Sequence, residues 1–258
     1  MPPDNLARYP SLVGKTVLIT GGGSGIGGAM SVLFASQDCS VVVLDIDDAA
    51  SRRLVDSLCS NGRRVAYFHC DVTDIDALQR TICAVESAHG GVDVLVNNAA
   101  RDDRQDLMTA SVEYWDRAIA VNVRHHLFAA QAVVPGMQRN GGGSIINMGS
   151  VSWMRGRPGM VGYSTSKAAI HGLTRTLARE LGEMNIRVNS LVPGATLTER
   201  QRELWLTPDQ DRQFIDLQAL KFRLEASDVA RVALFIASDE ARGCTGANFV
   251  VDAGLTQN

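Results

Sequence analysis

The run Thr20-Gly-Gly-Gly-Ser-Gly-Ile-Gly-Gly28 is the strongest indicator of fold in this chain. It joins an apolar segment, Lys15–Thr20, to an amphipathic one, Gly25–Ser36. Glycine lets the backbone turn sharply and approach an anion without a Cβ in the way, and a helix N-terminus offers free N–H groups to that anion. The run therefore predicts a strand, a pyrophosphate-binding turn and a helix.

Two glycine registers fit this run, Gly21-x-x-x-Gly25-x-Gly27 and Gly23-x-Gly25-x-x-Gly28. A merely flexible turn is the alternative to both. The position of the run, directly after a strand and at the start of a helix, favours the binding turn.

The remainder of the chain alternates between two kinds of segment. Short β-branched runs predicted as strands are Lys15–Thr20, Ser40–Asp45, Arg64–Cys70, Val92–Asn97, Ser144–Gly149, Ile186–Val192 and Asn248–Val251. Longer segments predicted as helices are Gly25–Ser36, Asp48–Ser60, Asp74–His89, Ser111–Arg139 and Tyr163–Met184. Nearly continuous apolar strands suggest burial on both faces. The pattern predicts an α/β fold with a single Rossmann-type, doubly wound parallel sheet of seven strands flanked by helices.

No repeat, low-complexity segment or shift in composition divides the chain, so we expect one domain over 1–258. Residues 12–150 would form mainly the dinucleotide-binding half, 150–224 the catalytic and substrate-loop half, and 225–258 the C-terminal helix and last strand. Pro193–Leu224 departs from the alternation, with two prolines and a Thr/Glu/Arg cluster. It predicts a loop with short helices on the substrate side.

The composition argues against several classes of function. A hydrophobic content of 45% allows a substantial core, and a net charge of −3 gives no reason to expect nucleic acid or anionic lipid as a partner. No apolar run approaches the roughly 20 residues that cross a bilayer, and the N-terminus lacks a secretory signal. The five cysteines are odd in number and include no Cys-x-x-Cys pair. They favour a reducing cytoplasm and give no support to a metal site.

Asp45 closes the second predicted strand, where the adenosine ribose of a dinucleotide would lie. Its carboxylate would accept hydrogen bonds from the ribose hydroxyls and repel a 2′-phosphate. No Arg or Lys stands in the glycine turn or immediately after Asp45 to offset that repulsion, so the sequence favours NAD over NADP. Capping of the next helix, by Asp45 or by Asp47, is the alternative.

Polar residues also follow the third and fourth predicted strands. Asp71 and Val72 would lie against the adenine, by analogy with Asp45. Asn98 either braces the backbone or lies near the nicotinamide ribose, and bracing is the favoured interpretation.

Tyr163, Lys167 and Ser150 are the candidate catalytic residues. Tyr163 and Lys167 are four residues apart in a predicted helix, so both side chains project from one face. A phenol has a pKa near 10, and a neighbouring ammonium lowers it, so the pair predicts a general base. Ser150 supplies a hydroxyl to hold the reacting oxygen. A surface tyrosine beside a solvated lysine is the alternative, which the upstream glycine turn disfavours.

With these motifs the chain resembles the short-chain dehydrogenase/reductase family over nearly its whole length. The matching features are Thr20-Gly-x-x-x-Gly25-x-Gly27, Asn97-Asn-Ala99, Asn122, Ser150, Tyr163-x-x-x-Lys167 and Pro193-Gly194. The resemblance implies Tyr163 as proton acceptor and Ser150 as orienter of the substrate oxygen. Lys167 would bind the nicotinamide ribose and lower the Tyr163 pKa, and Asn122 would hold a water that passes the proton to solvent. It also implies a homotetramer.

The resemblance implies a set of cofactor-binding residues for NAD. They are Gly21, Ser24, Gly25, Ile26, Gly27, Asp45, Asp71, Val72, Asn98, Tyr163, Lys167, Pro193, Gly194 and Thr198.

Within the family the chain is most similar to bacterial NAD-dependent aldose 1-dehydrogenases, the D-xylose type in particular. Stretches outside the general motifs carry this similarity: Tyr9-Pro-Ser-Leu12, Asp102-Asp-Arg104, Tyr114-Trp-Asp116, Arg124-His125, Gly149-Ser-Val-Ser-Trp153, Arg200-Gln201 and Thr207-Pro208. It implies oxidation of a pentose such as D-xylose or L-arabinose at C1 to the lactone. Ala100 is a departure, since the family usually has Gly there.

A sugar pocket needs polar groups for the hydroxyls and an apolar surface for the ring. Candidates with this chemistry are Asp102, Arg104, Ser150, Trp153, Arg200, Gln201 and Trp205. For Asp102 and Arg104 a solvated loop with internal ion pairs is the alternative, and for Trp153 it is ordinary packing. Arg200, Gln201 and Trp205 would form either a lid or part of a surface helix.

Two other functions remain open from the sequence. A reductase for 3-oxoacyl chains or another ketone would need an apolar tunnel, NADPH and a basic patch for a carrier protein. Asp45 argues against that cofactor. A catalytically silent NAD-binding regulator would be expected to lack Tyr163, Lys167 or Ser150, and all three are present.

Overall fold

The apolar segments pair in one parallel sheet of seven strands in a computed structural model, which describes residues 6–199 and 207–256. The strands are β1 Thr16–Thr20, β2 Ser40–Asp45, β3 Arg64–His69, β4 Val94–Asn97, β5 Gly143–Met148, β6 Ile186–Pro193 and β7 Asn248–Val251. Their order across the sheet is β3-β2-β1-β4-β5-β6-β7. The predicted α/β, doubly wound fold is confirmed.

Helices connect the strands and cover both faces of the sheet. They are α1 Gly25–Ser36, α2 Asp48–Ser60, α3 Ile75–His89, α4 Val112–Ile119, α5 His125–Arg139, α6 Ser152–Arg155, α7 Val161–Leu181, α8 Pro208–Leu217 and α9 Ala226–Ala237. Among the described residues, none of the helices is both long enough and apolar enough to cross a membrane.

The chain reverses its direction of travel across the sheet between β1 and β4. It runs outward from β1 through β2 to β3, and then returns to place β4 on the other side of β1. The connections that leave the carboxyl ends of β1 and β4 therefore diverge. Such a switch point opens a crevice at that edge of an α/β sheet, where ligands bind.

Two apolar layers hold the helices against the sheet. On one face, Phe34 of α1 and Leu234 of α9 are fully buried against strand residues such as Ile19. On the other, Ile82 of α3 and Val133 of α5 pack against strand residues such as Leu95.

Burial on both faces, as predicted, holds for the central strands and is wrong for the two edges. Every residue of β1 and of β4 is buried. Both ends of β3 are exposed, and β7 alternates between exposed and half-buried residues. The edge strands have a neighbour on one side only, and their ends extend past the covering helices.

The single helix predicted over Ser111–Arg139 is interrupted. A π-helical segment, Ala120–Arg124, separates α4 from α5. An i→i+5 segment rotates the helix relative to its regular course and often marks a functional site. Helical periodicity does not reveal it, because the flanking turns keep their apolar pattern.

Thr20, at the end of β1, ties the first strand to the segment that follows β4. Its fully buried hydroxyl accepts hydrogen bonds from the N–H groups of Asn98 and Ala99, at 3.0 and 3.1 Å. These donors lie just beyond β4, where the sheet ladder no longer satisfies them. The hydroxyl therefore holds the two sides of the crevice in register.

We expect Thr20→Val to lower the free energy of unfolding by about 1–3 kcal/mol, because the isosteric methyl leaves buried N–H donors without an acceptor. Thr16→Val is the matched control, since Thr16 is buried on the same strand and its hydroxyl makes no hydrogen bond to a described residue. Thermal or urea unfolding of both variants measures the difference. Equal stability of the two would contradict this role for Thr20.

Candidate active site

A cleft of about 1070 Å³ lies at the carboxyl ends of the central strands. It receives most of the residues that the sequence singles out. Those that line it are Gly21, Ser24, Gly25, Ile26, Gly27, Asp45, Asp71, Val72, Asn98, Asp102, Ser150, Tyr163, Lys167, Pro193, Gly194 and Thr198. Segments up to 177 residues apart in the chain thus meet in one concave surface.

The glycine turn shows which of its two registers the backbone requires. Gly21 and Gly25 have φ angles of +63° and +54°, in the left-handed region that favours glycine. A Cβ on Gly27 would lie 1.9 Å from the carbonyl oxygen of Gly21, whereas a Cβ on Gly28 would make only ordinary contacts from 3.5 Å. The geometry therefore matches Gly21-x-x-x-Gly25-x-Gly27.

Asp45 lies at the end of β2 and faces the glycine turn. Its carboxylate accepts hydrogen bonds from the N–H groups of Gly23, at 2.9 Å, and Asp47, at 3.0 Å. Asp47 caps α2 by accepting from the N–H of Ala50 at 3.0 Å, so the capping role belongs to Asp47. Each Asp45 oxygen keeps a lone pair for a further donor.

Arg53 of α2 also lines this end of the cleft, which the sequence reasoning missed. In the sequence, no cation stands in the glycine turn or directly after Asp45, where one is expected to matter for cofactor choice. Arg53 is eight residues further along the chain, and the fold of α2 returns it to the cleft.

Asn98 makes the contacts of a bracing residue. Its amide nitrogen donates to the carbonyl oxygens of Thr20 and Gly21, at 3.1 and 2.8 Å. The carboxylate of Asp71 turns back on its own loop, accepting from the N–H and the hydroxyl of Thr73, each at 2.8 Å.

Lys167 is almost completely buried, at 1% exposure. Its ammonium nitrogen donates to the carbonyl oxygen of Met148, at the end of β5, over 2.7 Å. Burial lowers the pKa of Lys167 to about 7. Near neutral pH this group therefore exists in both protonation states.

The pKa of Tyr163 corrects an expectation from the sequence. Burial raises it to about 12, the Ser150 hydroxyl acts to lower it by hydrogen bonding, and the charge of Asp102 raises it further. The predicted decrease through Lys167 is absent. The nitrogen of Lys167 lies 5.7 Å from the centroid of the phenol ring and donates to the carbonyl oxygen of Met148, and burial is the largest influence on the pKa of Tyr163.

Asn122 lies outside the main cleft, within the π-helical segment. Its side-chain oxygen accepts from the N–H of Arg101 at 2.9 Å, and its nitrogen donates to the carbonyl oxygen of Arg101 at 3.1 Å. It lines a second cavity of about 340 Å³, which Tyr163 and Arg104 also line. The side chain thus holds the Arg101 loop in place beside Tyr163.

Trp153 makes the contacts of the packing alternative. Its ring packs against His171 of α7, at 4.7 Å between centroids, and it does not line the cleft. The short helix α6 begins at Ser152 and turns Trp153 outward, where 38% of its surface is exposed. Arg200, Gln201 and Trp205 lie outside the described residues.

A buried polar network beneath the site was not predicted from the sequence. His126 Nδ1 lies 3.2 Å from the side-chain oxygen of Asn147, and the nitrogen of Asn147 donates to the Thr174 hydroxyl at 3.1 Å. Burial and the charge of Lys167 lower the pKa of the neighbouring His125 to about 3. No signal in the sequence points to the network, because its members lie in separate helices and strands that are otherwise apolar. Of these residues, only His125 is singled out in the sequence, as part of the Arg124-His125 stretch that carries the family resemblance.

Three further lining residues that the sequence reasoning missed, Arg155, Arg157 and Phe214, contact one another at the wall of the cleft. Over residues 6–199 and 207–256, no group of three or more His, Cys, Asp or Glu residues is arranged to hold a metal ion.

Comparison with known proteins identifies the family. The model of the family described as "Enoyl-(Acyl carrier protein) reductase" matches residues 21–256. The chain is 49% identical to "D-xylose 1-dehydrogenase" of Caulobacter vibrioides, over 96% of this chain and 98% of that protein. It is 42% identical to "Probable galactose dehydrogenase GalD" of Rhizobium meliloti, over 96% and 98%.

Among solved structures, a 7α-hydroxysteroid dehydrogenase complexed with NADH and 7-oxo glycochenodeoxycholic acid is similar, with a TM-score of 0.91 and 34% identity. The likeness covers 95% of this chain and 96% of that one. The fold, the motifs and these relatives together show that the chain belongs to the short-chain dehydrogenase/reductase family.

Proposed function

We propose that this protein oxidises an aldose at C1 to the lactone, with NAD as hydride acceptor. The observation that carries the proposal is the meeting of Ser150, Tyr163 and Lys167 in the same cleft as the glycine turn. The names of two relatives, a D-xylose 1-dehydrogenase and a galactose dehydrogenase, support an aldose as substrate.

The cleft has the chemistry of a dinucleotide site. The N-terminus of α1 and the glycines at Gly21 and Gly25 suit a pyrophosphate, and Asp45 suits the adenosine ribose. Asp71 and Val72 would hold the adenine, and Thr198 would lie against the phosphates. A bound dinucleotide supplies the hydride acceptor and, in its oxidised form, a positive charge that lowers the pKa of a nearby phenol.

Tyr163 takes the proton of the anomeric hydroxyl while Ser150 holds the same oxygen. The O–H and C1–H bonds of the sugar would break and the C1=O bond of the lactone would form, with the proton passing to the phenolate of Tyr163 and the hydride to the acceptor that a bound dinucleotide would supply. Positioning of these groups lowers the barrier.

Lys167 and Asn122 both support the proton transfer by Tyr163. With a pKa of about 7, Lys167 can both accept and release a proton near neutral pH. Asn122 holds the Arg101 loop and lines the second cavity, through which the proton of Tyr163 would pass to solvent by way of water.

We further propose NAD rather than NADP, a homotetramer and a cytoplasmic location. Asp45 supports NAD, because its carboxylate would face and repel the 2′-phosphate of NADP. Exposed apolar side chains of Leu107, Met108 and Val112 beside α4 support contact with another subunit. The five free cysteines support a cytoplasmic location.

We expect Tyr163→Phe to lower kcat by roughly 10²–10⁴-fold, because it removes the general base. Binding of NAD, measured by fluorescence titration, should change little. Tyr9→Phe is the control, since Tyr9 lies away from the cleft near the N-terminal 3₁₀ turn. Retained turnover in Tyr163→Phe would remove this residue as the base.

The lowered pKa of Lys167 predicts a pH dependence of stability. The folded protein releases this proton near pH 7 and the unfolded chain near pH 10.5. Between these values the unfolded chain binds more protons, so the wild-type protein should gain stability over Lys167→Met as pH rises from 7 to 10.

Unfolding midpoints of both proteins across this range give the test. Tyr163 does not interfere, because its raised pKa of about 12 affects stability only above about pH 10. A constant difference between the two proteins would show that the pKa of Lys167 is not lowered by burial.

Asp45→Ala should shift cofactor preference toward NADP, because it removes the charge that would repel a 2′-phosphate and leaves Arg53 nearby. The ratio of kcat/KM for NAD to that for NADP measures the shift. Asp56→Ala, an exposed change on α2, the helix that carries Arg53, should leave the ratio unchanged. An unaltered ratio in Asp45→Ala would refute the ribose assignment.

A further inference from the structure

Two arginines, Arg155 and Arg157, lie beside Phe214 at the wall of the cleft. They follow Ser150 in the chain, Arg155 as the last residue of α6 and Arg157 just after it. Both are half-buried and both line the cleft that contains Ser150 and Tyr163. Their charges therefore face the space that a substrate occupies.

Neither arginine is neutralised within the described part of the chain. Arg101 pairs with Asp103 and Arg223 pairs with Asp211, each at 3.0 Å. Arg155 and Arg157, by contrast, form no ion pair with a described carboxylate and donate no side-chain hydrogen bond to a described residue. Their guanidinium N–H groups are therefore available to an acceptor that enters the cleft.

Two other arginines contribute positive charge beside Arg157. Burial lowers its pKa, and the positive charges of Arg104 and Arg155 lower it further, with no carboxylate opposing them. Keeping these cations together is unfavourable unless an anion joins them.

Phe214 of α8 positions both arginines and leaves their donors available. The guanidinium carbons of Arg155 and Arg157 lie 5.7 and 5.1 Å from the centroid of its ring. Such a contact engages the guanidinium through the aromatic face, whereas its N–H groups can bind carboxylate or phosphate oxygens. The ring therefore restricts the side chains in advance of binding.

The position in the sheet separates these arginines from the cofactor's phosphates. They follow β5, whereas Asp45 ends β2, three strands away in the order β2-β1-β4-β5. At about 4.8 Å per strand this is about 14 Å. The pyrophosphate turn follows β1, two strands from β5. This separation between the strand ends favours the substrate, rather than the cofactor, as the carrier of an anion held by Arg155 and Arg157.

The described acidic residues that line the cleft do not pair with Arg155 or Arg157. The charge of Asp102 acts on Tyr163 and is not among the influences on Arg157. Glu199 also lines the cleft, where it is exposed and unpaired with either arginine. The substrate end is thus polarised, with a carboxylate near the reacting hydroxyl and cations beyond it.

We infer that the preferred substrate is an aldose that carries a carboxylate or phosphate group remote from C1, held by Arg155 and Arg157. This inference rests on the proposed oxidation at C1 and specifies its substrate class. C1 would lie at Tyr163 and Ser150, and the anionic group would receive hydrogen bonds from the two guanidinium groups.

Matched pairs of sugars test the inference on the wild-type protein with NAD. D-glucuronate has the ring of D-xylose with an added carboxylate. D-galactose is paired in the same way with two anionic sugars, D-galacturonate, which carries a carboxylate, and D-galactose 6-phosphate, which carries a phosphate. We expect kcat/KM for an anionic sugar to exceed that of its neutral partner by about tenfold or more at low salt, and the ratio to fall with added NaCl. Comparison of kcat/KM for the sugar carboxylates and for the sugar phosphate shows which anionic group the site prefers.

Variants locate the effect. Arg157→Gln and Arg155→Gln should each lower the anionic-to-neutral ratio of kcat/KM by about tenfold, and Arg157→Lys should lower it less. Arg231→Gln, an exposed change on α9, is the matched control and should leave the ratio unchanged. Circular dichroism of each variant monitors folding.

The outcomes separate this inference from the proposed function. Equal kcat/KM for charged and neutral sugars, with a ratio insensitive to salt and to Arg157→Gln, would overturn the inference and leave aldose oxidation standing. If no aldose in the panel reduces NAD while another alcohol does, the proposed function fails and the inference fails with it.

Discussion

The buried ammonium group of Lys167 is the constraint on which the arrangement of the site depends. An amine withdrawn from water needs an acceptor, and the carbonyl of Met148 provides it at 2.7 Å. This bond ties α7 to the carboxyl end of β5. Tyr163 lies one helical turn before Lys167, and Ser150 lies two residues after Met148. The same contact therefore aligns the phenol with the serine hydroxyl.

The electrostatic potential changes sign along the cleft, and under the proposed function each charged part of the bound molecules would lie near protein groups of opposite charge. The N-terminus of α1 is positive beside the glycine turn, and Asp45 is negative at the adenosine end. Around Tyr163, burial and Asp102 keep the phenol protonated until a cation approaches. Under the proposed function, a cationic nicotinamide bound beside the phenol would lower its pKa and release this proton, so the chemistry would depend on occupancy of the cleft.

Periodicity and turn chemistry predicted most of the secondary structure, since both are local properties. The bounds predicted for Ser40–Asp45 and Asn248–Val251 match the strands, and those for Gly25–Ser36 and Asp48–Ser60 match the helices. Predictions failed where an element depends on its neighbours. The edge strands are less covered than their composition suggests, and the π-helical segment at Ala120–Arg124 has no signature in hydrophobic spacing.

From residue types and spacing alone, the chain specified its α/β fold, its glycine turn and the pairing of Tyr163 with Lys167 on one helix face. Packing in three dimensions settled the rest. It turned Trp153 away from the cleft, brought Arg155, Arg157 and Phe214 together from distant segments, and raised the pKa of Tyr163. The physical reason is that spacing fixes which side chains share a face of a helix or strand. Desolvation and long-range contacts arise only when those faces meet.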